Sequence, residues 1–232
     1  MKTKLLLSAL LGMAAWSFSG VATADWDTGA CPGGGSAPCI ETEINGNTYH
    51  FNGTGGHAGI WHGRPAAEGG GDFVFEGDDV ALACTIDLEC TLALSGQVKK
   101  CQDANGAWRI GVKVTDADVS NGLFCGSVNV GGFPWYSKDA TIASHCPFED
   151  DCDSFIPYDA NASSYTGNFG TIDVDVFGID LVSSEHVHSV VFTPGVGANF
   201  AFASDFYDCD DNASCSINGV LTVNNATSLD IQ

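Results

Sequence analysis

His186 and His188 are the residues whose types and spacing most directly offer chemistry. Two positions apart on a strand, they point to one face and could hold one metal ion between them. A third ligand would come from His50, His57, His62 or a carboxylate, and no spacing signature ties any of these to the pair. An ordinary strand edge is the competing reading. Two acidic runs offer oxygen ligands instead. One is Glu149-Asp150-Asp151-Cys152-Asp153, and the other is Asp205 followed by Asp208, Asp210 and Asp211. Carboxylates on a stiff loop can bind calcium, so Asp150, Asp151, Asp153, Asp208, Asp210 and Asp211 are calcium candidates. Neither run has the Asp-x-Asp-x-Asp-Gly spacing, and solvated acidic turns are the alternative. No other cofactor is expected.

Nucleophilic catalysis has no visible carrier. There is no Gly-x-Ser-x-Gly elbow, and the serines and histidines are scattered. No catalytic residue is assigned and a non-enzyme is expected. Converging carboxylates could still serve a secreted carbohydrate-active hydrolase, which stays an alternative together with a carbohydrate-binding protein. Aromatic residues suggest binding. Trp108 lies on the apolar face of an alternating run and reads as core. Trp61 and Trp135 lie in Gly-rich loops and are candidates for a surface that binds sugars or oily material, with a folded-back plug as the other reading.

The elements that position these residues follow an export leader. Lys2 and Lys4 precede an apolar run from Leu5 to Met13, and Ala22-Thr23-Ala24 is a small-x-small cleavage site before Asp25. Residues 1–24 therefore read as a signal peptide. Asp25 is not the Cys that a lipoprotein anchor needs, and no later run is long enough for a transmembrane segment. A secreted, extracellular or periplasmic protein is expected. Its net charge of −21 argues against nucleic acid and anionic membranes as partners.

All ten cysteines follow the leader, and an even count in an exported chain implies disulfides. Residues 80–94 carry apolar side chains at every even position, the pattern of a half-buried strand. On one continuous strand Cys84 and Cys90 would be roughly 20 Å apart, beyond the reach of a bridge. Cys90 with Cys125 and Cys84 with Cys101 are favoured, with the exchanged pairing as the alternative. Cys31 with Cys39, Cys146 with Cys152 and Cys209 with Cys215 would close short polar loops.

Further alternating runs are Trp108, Ile110, Val112 and Val114, then Ile172, Val174 and Val176, and Val187, Val190-Val191-Phe192 and residues 217–223 complete a set of short strands. Asn105-Gly106, Asn121-Gly122 and Asn218-Gly219 read as turns between them. Residues 25–79 form a Gly-rich, irregular N-terminal section with short strands at 44–51 and 73–75. Residues 80–232 form the β core. The fold expected is all-β, a disulfide-stapled antiparallel β-sandwich or jelly-roll-like single domain. A membrane barrel is not expected.

Several motifs then bear on family. A Cys opens a strand ending in a small-residue turn, from Leu88 through Cys90 to Ser95-Gly96. A second Cys follows a Gly turn in Ser120-Asn121-Gly122-Leu123-Phe124-Cys125. Gly132-Phe133-Pro134-Trp135 comes next, and Cys215-Ser216-Ile217-Asn218-Gly219 leads the last strand. In this order, over residues 80–140 and about the last twenty, they resemble the Pra-type family of alkane-oxidation activators. This chain differs in its longer Gly-rich start, its extra cysteines and its acidity. The resemblance implies a secreted, non-catalytic accessory protein with no catalytic residues to carry over. It would act in adhesion, biofilm or growth on hydrocarbons. Its partner would be an extracellular surface, a matrix polymer or a hydrophobic oil–water interface. A calcium-dependent cell-surface structural protein is the remaining alternative.

Overall fold

The computed structural model describes residues 26–33, 37–52, 57–142 and 146–232, so the leader expected at 1–24 lies outside the described residues. Among the described residues fifteen strands follow one another. They are β1 (Asp27–Thr28), β2 (Ile40–Ile44), β3 (Asn47–Phe51), β4 (Phe73–Ala83), β5 (Asp87–Gln102), β6 (Trp108–Ser120), β7 (Val128–Gly131) and β8 (Trp135–Asp139). Then come β9 (Ile156–Pro157), β10 (Tyr165–Val176), β11 (Ile179–Thr193), β12 (Gly195–Val196), β13 (Asn199–Tyr207), β14 (Ala213–Val223) and β15 (Ser228–Ile231). Among the described residues no helix is long and apolar enough to cross a membrane.

The all-β, disulfide-tied expectation holds, but the sandwich or jelly-roll does not. Eight antiparallel strands run β11-β13-β14-β4-β5-β6-β8-β10, and β10 pairs back onto β11 to close a barrel. Strand β7 continues the lane of β8, pairing Val174 with Val130 while β8 pairs Gly167 with Asp139. The inner face of a closed barrel alternates like the inner face of a sandwich, so the sequence pattern is the same for both. Long strands, with register shifts between Gly77 and Val80, Ser95 and Gly96, and Val187 and Val191, supply the curvature that closure needs.

The alternating run at 80–94 is a hairpin rather than one strand. Val80 pairs with Cys90 and Leu82 with Leu88 across a turn at 84–86. Even residues face even residues in that register, so the alternation passes through the turn without a break. Residues 44–51 likewise fold back at Asn45-Gly46, and both turn residues have positive φ, 53° and 80°. That is the two-residue turn that Asn-Gly favours. The turn expected at Asn218-Gly219 is absent, since both residues lie inside β14, where Gly219 lets Val80 approach to 2.9 Å of where a Cβ would stand.

A second sheet, ordered β1-β3-β2-β15-β12, packs against one end of the barrel. Leu229 and Ile231 meet Phe73, Phe75, Phe192 and Phe200 there, and one hydrophobic core runs through both sheets. Beside this junction Lys100 is fully buried, donating from Nζ to the carbonyls of Pro38 (3.0 Å) and Phe51 (3.1 Å). Burial lowers its pKa to about 7. Between pH 7 and the ordinary lysine range the unfolded chain then binds more protons than the folded one, so stability rises with pH through that window. Burial lowers Lys113 and Lys138 in the same direction. Melting temperature should therefore climb from pH 6 to pH 9, and Lys100→Met should flatten most of that climb. An equal slope in the variant would rule Lys100 out as its source.

All ten cysteines are paired. Cys31–Cys39 and Cys90–Cys125 form as expected. The other favoured pairs do not form. Cys84 joins Cys215, Cys101 joins Cys152, and Cys146 joins Cys209. The hairpin explains the first difference, because Ala83 at the end of β4 lies opposite Ser216 of β14, which brings Cys84 beside Cys215.

Candidate functional site

Because neighbouring strands are antiparallel, the β4–β5, β6–β7, β10–β11 and β13–β14 connections all emerge at the barrel end away from the second sheet. Large apolar side chains stand exposed there. Leu123 is 75 % exposed, Phe124 48 %, Phe177 58 % and Ile179 61 %, with Ile86 at the tip of the β4–β5 turn. The Phe124 and Phe177 rings meet edge to face, centroids 5.5 Å apart. Below them Leu88, Cys90, Cys125 and Val176 form a small buried cluster. Cys90–Cys125 ties the β6–β7 connection to β5, and Phe177 N–H donates to the Ser127 carbonyl at 3.2 Å. Exposed Asp87, Glu89 and Asp180 lie at the same end.

The backbone at these phenylalanines is costly. Val176 pairs with Ile179, leaving Phe177-Gly178 as a two-residue turn with φ of 56° and 75°. The same turn between β2 and β3 uses Asn45-Gly46, the residues such geometry favours. Phe124 also has positive φ, at 68°. For a bulky side chain each such residue costs roughly 1–2 kcal/mol. Neither ring recovers that by burial, and strain of this kind gathers at functional sites. Sequence reading missed this rim, although a large apolar residue beside Gly in a turn, as in Phe177-Gly178, was the signal to look for.

The interior of the barrel offers less. A void of about 70 Å³ lies among Val80, Leu92, Trp135, Val174, Val187 and Phe202. Sites for small organic ligands run roughly 300–1,000 Å³, so this void is well below that size and side chains fill most of the barrel interior.

The two aromatic candidates part company. Trp135 is buried, its ring stacked on Phe133 at 4.6 Å and its Nε1 donating to the Gly131 carbonyl at 2.8 Å. It is core rather than surface, because β8 begins at that residue and turns the ring inward. Trp61 is half-buried against the outer wall. Lys99 and Lys113 place their Nζ atoms 4.6 and 4.9 Å from its ring centroid, and its Nε1 donates to Asp150 Oδ2 at 2.9 Å. It covers two lysines.

The first acidic run is engaged in structure. Burial opposes ionisation of Asp150, yet hydrogen bonds from Lys99 and Trp61 hold its pKa below the ordinary value. Asp151 accepts from the Asp153 N–H (3.1 Å), and Asp153 accepts from the Ala104 N–H (2.6 Å). In the second run Asp208 accepts from the backbone N–H groups of Asp210 and Asn212, both at 2.9 Å. Asp211 meets His186 and His188, all three ligand atoms lying within 4.8 Å of one another. His50, His57 and His62 lie elsewhere. His50 bonds the Gly29 carbonyl, and the other two gather around Phe51. Comparisons of the chain with family models, curated proteins and solved structures find no match.

Proposed function

We propose that the protein is an exported, non-catalytic surface protein that attaches through the apolar rim of its barrel to a hydrophobic surface or oil–water interface. The strained, exposed Phe177 and Phe124 carry this reading. The rings project from turn tips rather than line a groove, and a fluid apolar phase can receive such tips without complementary relief. Five disulfides suit an oxidising, extracellular or periplasmic setting. The resemblance to alkane-oxidation activators points to the same kind of role.

Burying a large apolar side chain gains roughly 1.5–3 kcal/mol, so the two rings together set most of the attachment. The test is partition of the oxidised protein onto hexadecane droplets. Phe124→Asn combined with Phe177→Asn should lower it at least tenfold, while Trp61→Ala leaves it unchanged. Asn suits positive φ, so the double variant should melt no lower than the parent. Undiminished partition at an unchanged melting temperature would sink the proposal.

A further inference from the structure

We propose a second site, independent of the rim: His186, His188 and Asp211 bind a divalent transition-metal ion of the zinc class on the outer wall of the barrel. Alternation along β11 sends Val187 into the core and its two neighbours outward. The two imidazoles then face each other, with Nε2 atoms 2.7 Å apart. The Asp211 carboxylate comes from the loop between β13 and β14.

That loop is built to hold its place. Asp208 bonds two of its N–H groups, Cys209 is bridged to Cys146, and Asp211 keeps a positive φ of 62°. The rings are held as well. Tyr207 stacks on His188 at 4.3 Å, and Phe148 packs on His186 at 5.2 Å. Gly170 makes room for that packing, since a Cβ there would stand 2.7 Å from the Phe148 ring and 2.9 Å from His186 Cβ. Imidazole nitrogen is a donor that zinc, copper and nickel accept and that calcium does not favour. Tetrahedral zinc with ligands near 2.0–2.1 Å holds them about 3.3 Å apart, so shifts under about 1 Å would seat the ion.

The set stays open on one side. His186 is fully buried, whereas His188 is half-buried and Asp211 exposed. A polar groove of about 540 Å³ begins at His188 and runs past Ser189, Ser204, Asp205 and Asn218. Three protein ligands with a solvent-facing fourth position make a site that can take an oxygen or nitrogen donor from a second molecule.

The test uses the oxidised protein stripped with chelator, then titrated with zinc and, in parallel, with cobalt. One ion per chain at micromolar affinity or tighter is expected. A visible cobalt band should report low coordination number, and zinc should raise the melting temperature. His188→Ala and Asp211→Asn both alter accessible side chains, and each should weaken zinc at least tenfold. Equal binding by parent and both variants would overturn the site. So would stabilisation by calcium alone that survives His188→Ala.

Discussion

Replacing Cys84 and Cys215 together by Ala is expected to lower the unfolding free energy by about 3–4 kcal/mol. The bridge joins residues 131 apart in sequence. The unfolded chain is already shortened by other bridges, and the shortest route from Cys84 to Cys215 passes through Cys101–Cys152 and Cys146–Cys209. That leaves a loop of roughly 30 residues to be closed, and the entropy of closure grows only slowly with loop length. The bridge also fixes the β4–β5 turn against β14, where Cys215 is buried. Urea unfolding of the parent and the double variant, with the other four bridges intact, measures the loss directly. A change below 1 kcal/mol would show that the barrel wall holds this seam without the bridge.

Phe51→Ala should weaken the fold by about 3–5 kcal/mol, the range for removing a buried aromatic ring. The ring is fully buried and lies where the second sheet meets the barrel. It stacks on His62 at 3.8 Å and receives the edge of Trp26 at 4.7 Å. The Lys100 ammonium sits 5.1 Å from its centroid. Removing it leaves a cavity that β-structure on both sides cannot collapse to fill, and it strips an aromatic face from a buried cation. Typical domain stabilities are 5–15 kcal/mol, so this one ring is a large part of the total. Denaturant unfolding with Trp fluorescence checks it. A loss under 1 kcal/mol would mean that the second sheet is only loosely attached.

Much of the strand pattern was legible, because one face of each strand is buried and the alternation shows it. Ile110, Ile172, Val174 and Val187 lie in the core where their spacing places them, whereas Trp108, expected there too, is only half-buried at the start of its strand and outside the core cluster. Closure was not legible, since it depends on β10 meeting β11 and β11 meeting β13, pairings that leave no mark on composition. The hairpin at 84–86 was hidden by parity, and the cysteine pairing followed from that misreading. Trp135 looked exposed because glycines precede it, yet glycines also let a chain turn sharply into a buried strand. The His186 and His188 pair was visible as a same-face couple. Its third member was visible only as a kind of residue, a carboxylate, because the β13–β14 loop that brings Asp211 close is set by tertiary structure.

The order of the bridges has a consequence for how the chain matures. If cysteines were oxidised in the order in which they emerge, each would take its nearest neighbour. Cys84 would meet Cys90, Cys101 would meet Cys125, Cys146 would meet Cys152 and Cys209 would meet Cys215. Only Cys31–Cys39 joins consecutive cysteines in the finished protein. Cys90–Cys125 interleaves with Cys101–Cys152, which interleaves with Cys146–Cys209, and Cys84–Cys215 encloses all three, so Cys84 must wait until Cys215 has been delivered. Newly made chains oxidised as they appear would accumulate in wrongly linked forms, so high yields call for thiol exchange that reopens early bonds. Expression in a compartment that oxidises thiols but lacks a disulfide isomerase should give mostly scrambled material, whatever the stability of the finished barrel.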